Sequence, residues 1–133
     1  MGKKLNIGDK VSVSKAFSKE EVIQFADISG DHNPIHLDQE YAEASIFGQP
    51  IVHGMLVSSL FSGLIGEQLP GQGSIYLGQN LSFKAPVPIG ETVTASVEVV
   101  SLREDKPIAT LRTSCLDSAG KLVIEGEAVV MYS

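Results

Sequence analysis

The sequence predicts an α+β domain in which a curved antiparallel sheet wraps one long central helix. Two observations lead there. From Pro50 to about Leu69 no charge appears before Glu67, and Ile51, Val52, Met55, Leu56, Val57, Leu60, Phe61, Leu64 and Ile65 cover most of a helical circumference. Such a helix is expected to be buried on nearly all sides. After Pro70-Gly-Gln-Gly73 the apolar period changes to two and stays there, with turn residues but no helical segment between the strands. Successive strands without intervening helices pair antiparallel, and their apolar face needs a cover. The uncharged helix is the natural one.

The 133 residues suit a single domain spanning 1–133, large enough to bury a core without staples. An apolar fraction of 43% with 20% charged residues is that of a globular protein. A net charge of −6 disfavours a nucleic-acid surface. No Lys or Arg lies between Lys19 and Lys84, so the charged end of an anionic ligand is expected to meet the second half of the chain. The single Cys115 has no partner for an internal disulfide, and Met1 to Asp9 contains no apolar segment of signal-peptide type. Both point to the cytoplasm. The apolar run of the helix falls short of the ~20 residues a bilayer needs and contains His53, Ser58, Ser59, Ser62 and Gly63, so no membrane span is expected.

Taken in order, Lys10-Val-Ser-Val-Ser14 alternates as a short first strand does. Ser18 and Glu21 form a capping box ahead of a helix with Val22, Phe25, Ala26 and Ile28 on its apolar stripe, and Gly30 ends it. Asp31 to Leu37 is expected to be irregular, because Pro34 lacks an N–H and pushes Asn33 from helical angles. Asp38 caps a short exposed helix, and Ser45 to Gln49 is a loop. Pro50 is expected in the first turn of the long helix. Beyond it, Ile75, Leu77, Leu81 and Phe83 share one strand face, and Val93, Ala95, Val97 and Val99 share another. Ala109, Leu111 and Cys115, then Leu122, Ile124, Ala128 and Val130, mark the last two strands. Turns fall at Pro86 to Gly90, Glu104 to Pro107 and Asp117 to Gly120. One helix wrapped by such a sheet is the arrangement called the hot-dog fold.

The chemistry-bearing residues cluster in Phe25-Ala-Asp-Ile-Ser-Gly-Asp31-His-Asn33-Pro34-Ile-His36, followed by Ala42. This stretch resembles the hydratase motif of MaoC-like R-specific enoyl-CoA hydratases. Pro50-Ile-Val-His53-Gly54-Met, Gln79-Asn-Leu-Ser-Phe-Lys-Ala-Pro86-Val and Gly90-Glu-Thr-Val resemble later segments of that family, and the likeness runs from about residue 7 to the end. The length is that of the small single-domain members associated with polyhydroxyalkanoate supply. The resemblance implies a hydro-lyase that interconverts trans-2-enoyl-CoA plus water and (R)-3-hydroxyacyl-CoA. It also implies a homodimer with the coenzyme A site near the interface. Asp31 and His36 are then the catalytic pair, holding one water between them.

The residue types agree with that chemistry. Hydration takes a proton from water and gives one to the α-carbon, which suits two positioned groups of different basicity. The turn at Pro34 lets Asp31 and His36 converge. We take Asp31 as base and His36 as acid, roles that the sequence leaves interchangeable. Asn33 is expected to hold the loop by side-chain-to-backbone bonds. Gly54, near a helix N-terminus and without a side chain, is the expected backbone donor to the thioester oxygen. Ser62, Ile65 and Val130 are expected to line an acyl pocket for short chains, and Lys84, Arg103 and Lys106 to meet phosphates. His53 reads as an N-terminal-turn residue bonded to backbone rather than as a catalytic group.

His32 and His36 have the spacing of paired zinc ligands, but Pro34 breaks the helix such a pair requires. No metal and no redox cofactor are expected, and coenzyme A enters only with the substrate. The rival readings are a hot-dog thioesterase, a dehydratase of acyl-carrier-protein substrates, and a non-catalytic acyl-CoA-binding module.

Overall fold

The computed structural model describes residues 4–133; Met1 to Lys3, part of the Met1 to Asp9 segment read above as lacking an apolar signal, lie outside the described residues. Six strands form one antiparallel sheet: β1 (Lys10–Ala16), β2 (Ile75–Gln79), β3 (Ser82–Phe83), β4 (Thr92–Leu102), β5 (Ile108–Leu116) and β6 (Leu122–Met131). Their order is β1-β4-β5-β6-β2, with β3 also paired to β6. The helices are α1 (Lys19–Ser29), α2 (Pro34–Leu37), α3 (Gln39–Glu43) and α4 (Gly54–Glu67). Helix α4 lies against β4 and β1. This is the hot-dog arrangement.

The period-two patterns become the core. Val93, Ala95, Val97 and Val99 of β4, with Ala109, Leu111 and Cys115 of β5, are fully buried and meet Val57, Phe61, Leu64 and Ile65 of α4. The expected caps form. The Ser18 hydroxyl accepts from Glu21 N–H while the Glu21 carboxylate accepts from Ser18 N–H at 2.9 Å, and Gly30 closes α1 at φ 82°. Asp38 caps α3 through Tyr41 N–H at 3.1 Å.

Three expectations about the long helix and the sheet need correction. The long helix begins at Gly54, not Pro50. Residues 50–52 are extended because they are bonded sideways: Val52 N–H donates to Val87 O at 2.7 Å and Ile51 N–H to Ile35 O at 3.3 Å. Second, α4 is not buried on nearly all sides of one chain. Met55, Ser59, Ser62, Gly63 and Gly66 form an exposed stripe. Third, the strand expected over residues 75–83 is two, broken at Asn80, which bonds both backbone groups of Glu127. Gly126 permits this, since a Cβ there would sit 1.9 Å from Asn80 O. On this edge Ile75, Leu77 and Phe83 are half exposed rather than in the core.

Candidate active site

The segment after α1 folds by local bonds. Asp31 N–H donates to Ser29 Oγ at 3.1 Å, and the Asp31 carboxylate accepts from Asn33 N–H at 3.2 Å. Asn33 Oδ1 in turn accepts from Ile35 N–H at 3.2 Å and caps α2, in which Pro34 takes the first position. Residues 34–37 are therefore helical, not irregular. Proline starts a helix easily because its missing N–H would have no partner there. This turn carries His36 toward the extended residues before α4.

Two imidazoles meet at that junction. His36 Nδ1 lies 2.7 Å from Ile51 O. A carbonyl only accepts, so Nδ1 bears the hydrogen and Nε2 is left for chemistry. The absence of helix at residues 50–52 is what frees the Ile51 carbonyl for this bond. His53, the N-cap of α4, stacks on His36 with ring centroids 3.9 Å apart and planes at 26°. Its Nε2 donates to Asp31 O at 3.0 Å. His53 is only 2% exposed, and burial holds its pKa below the usual imidazole value.

Asp31, His36 and His53 each place one polar atom within 4.8 Å of the others'. A water making two hydrogen bonds of about 2.8 Å at a tetrahedral angle spans about 4.6 Å. The Asp31 carboxylate and the His36 ring thus lie no farther apart than about the span of one bridging water. His32 is elsewhere, exposed and bonded to Asp27 at 3.0 Å, so the spacing that suggested paired ligands is not realised.

A cleft of about 430 Å³ opens beside His36. Its buried walls are Val52, Val57, Val87 and Ile124, its rim includes Phe47, Met55 and Phe83, and Lys84 is the one cationic side chain among the described residues that line it. Lys84 is 3.5 Å from Glu125. Gly54 also lines the cleft, as the first residue of α4. Its N–H precedes the helical ladder and has no acceptor among the described residues.

His36, Gly54 and Lys84 therefore line one cleft, Asp31 approaches His36 within 4.8 Å, and Asn33 caps the turn between them. The other expected contacts are not, within one chain. Ser62 lies on the exposed stripe of α4, while Ile65 and Val130 are core residues outside the cleft. Ile65 is about 16 Å along the helix axis from Gly54 at 1.5 Å per residue. Arg103 and Lys106 sit in the β4–β5 turn, beside the Met131 end of β6, whereas the cleft touches Ile124 near its start. Arg103 is paired with Asp105 at 2.6 Å. The Cys115 thiol is buried and pushed up to about 11, which makes it a core residue and not a nucleophile. Sequence reasoning recognised the backbone bond of His53 but missed its stacking on His36. The available signal was a histidine placed immediately before an uncharged helix.

Comparison with known proteins agrees with this geometry. Residues 2–115 match the family described as "MaoC like domain". The chain is 60% identical over 126 residues to an "(R)-specific enoyl-CoA hydratase" of Aeromonas caviae, covering 95% of this chain and 94% of the relative. It is 48% identical over 124 residues to a protein of the same description from Rhodospirillum rubrum, covering 93% and 85%. Among solved structures, an (R)-hydratase from A. caviae described as involved in PHA biosynthesis superimposes with a TM-score of 0.96 at 58% identity, over 97% of this chain and 98% of that one.

Proposed function

This chain belongs to the MaoC-like family, and from that premise we propose that it is an (R)-specific enoyl-CoA hydratase acting on short acyl chains. The observation that carries the reading is the approach of Asp31 to His36, within 4.8 Å, at a cleft that His36 and Gly54 both line. Asp31 takes a proton from the bridging water as its oxygen bonds to C3 of the enoyl group. The C2=C3 π pair moves toward the thioester, and the negative charge on its oxygen is met by the Gly54 N–H at the positive end of α4. His36, which starts as an imidazolium with a second hydrogen on Nε2, delivers that proton to C2 and is left neutral, and the proton left on Asp31 returns to His36 through solvent. Both groups act from one side of the double bond, and that fixes a single stereochemical outcome.

Four buried aliphatic side chains wall the cleft, so a long acyl tail would have to displace core. This supports the preference for short chains. Lys84 at the rim supports an anionic carrier such as coenzyme A. We read no metal into the site, because the two stacked rings lie in nearly parallel planes and cannot both aim a lone pair at one ion. A homodimer is supported by the exposed stripe of α4 and by Ile75, Tyr76 and Leu77 left uncovered on the sheet edge. No helix among the described residues is long and apolar enough to cross a membrane, and the unpaired Cys115 supports a place in the cytoplasm. The product of such an enzyme would feed polyester synthesis from hydroxyacyl thioesters.

The test is loss of the conjugated-thioester absorbance of crotonyl-, hexenoyl- and octenoyl-CoA, with chiral analysis of the product. Hydration to the (R)-3-hydroxy thioester, fastest relative to KM for the four- or six-carbon substrate, is expected. Release of free thiol without hydration would show a thioesterase, and an (S) product or an optimum at octenoyl-CoA would refute the corresponding part.

A further inference from the structure

His53 takes no part in the proton transfers above, yet three elements meet on its ring. Phe25 of α1 packs edge-on at 4.8 Å, His36 of α2 stacks at 3.9 Å, and His53 itself caps α4, its carbonyl accepting from Leu56 and Val57. The other hydrogen bonds of Asp31, to Ser29 and Asn33, stay within its own turn. The bond from His53 Nε2 is, among the described residues, the one that ties Asp31 to an element distant in sequence.

We propose that His53 is a positioning residue that locks the Asp31 backbone and the His36 ring into one unit, acting as a neutral imidazole with its hydrogen on Nε2. The inference rests on the hydratase reading. Since Asp31 O can only accept, Nε2 must donate, and Nδ1 is hydrogen-free unless the ring becomes a cation. Nδ1 is buried without a partner, so a second proton there would be a buried, unsatisfied N–H on a charged ring. Burial accordingly lowers the pKa of His53. Of the two stacked rings only His36 then exchanges protons, and it does so against a neutral neighbour. Proton transfer demands this registration, since a misplacement near 1 Å costs about a hundredfold in rate.

Two substitutions separate the tether from the ring. His53→Phe keeps an aromatic ring between Phe25 and His36 but cannot donate to Asp31. His53→Gln loses the ring but can place an N–H where Nε2 was. His53→Phe is expected to lower kcat on crotonyl-CoA by between about tenfold and a hundredfold, with KM within twofold and circular dichroism unchanged. His53→Gln should recover several-fold of that loss. Wild-type kcat in a folded His53→Phe, or equal losses in both variants that track falling melting temperatures, would overturn the proposal. Nitrogen-15 shifts of the wild-type histidines give an independent readout that needs no variant. His53 should hold its single hydrogen on Nε2 at pH 7 to 8 and take up a second proton only below the usual imidazole range, and a hydrogen on Nδ1 at pH 8 or a doubly protonated His53 at pH 7 would also overturn it. If wild-type protein does not hydrate crotonyl-CoA, the hydratase reading fails separately, whatever the tautomer proves to be.

Discussion

Gly54→Ala separates the chemistry at the N-terminus of α4 from its stability. A Cβ built at Gly54 lies 2.6 and 2.7 Å from Cε1 and Cδ1 of Phe83. Aliphatic and aromatic carbons rest at about 3.5–4.0 Å, so the ring must withdraw by about 1 Å. Phe83 is 52% exposed and can swing outward cheaply. Against that small loss, alanine is better than glycine in a helix by up to about 1 kcal/mol. Unfolding free energy should therefore change by no more than about 1 kcal/mol. Activity should not be spared. The methyl group stands where the thioester oxygen must approach the N–H, and losing one such donor costs about 10²–10³ in kcat, or roughly 2.7–4 kcal/mol.

The assay is kcat on crotonyl-CoA beside urea unfolding of the same preparation. The double variant Gly54→Ala/Phe83→Leu supplies the control, since it relieves the clash but keeps the methyl group. It should remain as slow as Gly54→Ala. A folded Gly54→Ala with kcat within threefold of wild type would refute the role of this N–H. Recovery in the double variant would show that the displaced ring, and not the blocked oxygen, was the cause.

Four further outcomes are expected. Asp31→Asn and His36→Gln should each stay folded and lose at least about 10²-fold in kcat; near-normal turnover in either would remove it from the catalytic pair. Activity should survive prolonged chelation, and stoichiometric zinc whose return restores a lost activity would contradict the stacked-ring argument. Because the His53 pKa is lowered in the folded state, its contribution is full above the unfolded value near 6.5 and is lost as pH falls toward the folded value, at about 1.4 kcal/mol per unit of depression. Urea unfolding at pH 5 and pH 7.5 should therefore show a larger acid loss in wild type than in His53→Gln, and equal losses would refute it. Finally, a Cβ at Gly63 meets nothing within 4 Å, so wild type is expected to sediment as a pair and Gly63→Arg to fold but sediment as a single chain; a single-chain wild type would refute the proposed pairing.

What was legible in the sequence followed from rules that act locally. The capping box at Ser18, the glycine at residue 30 and the buried alternation of β4 and β5 each depend on side chains within a few positions. The convergence of Asp31 and His36 was legible because Pro34 and Asn33 force a turn between them. What was not legible depended on bonds across the chain. Pro50 is chemically suited to start a helix, but the pull of Val87 and Ile35 on residues 51 and 52 delays that start to Gly54. That delay gives His36 a carbonyl partner and puts Gly54 at the first position, so the local rule failed at the place the site is built.

The acyl-pocket residues show a different limit. Periodicity tells which residues leave water, but not which end of a curved sheet the cleft opens at. Ile65 and Val130 are as buried as the pattern demands and still lie outside the cleft of their own chain. Ser62 is exposed beside Ser59, Gly63 and Gly66, the part of the stripe beyond Met55 that has only small side chains and no charge. A polar helix face toward solvent would ordinarily carry Lys or Glu, since these are good helix formers and well hydrated. Small uncharged residues instead allow the close approach of a second backbone. The lack of charge on α4 before Glu67 thus reflects one burial against the chain's own sheet and, on the proposed homodimer, a second against another copy. On the proposed homodimer, any contact of Ser62 with an acyl chain would have to arise in the space between the two copies.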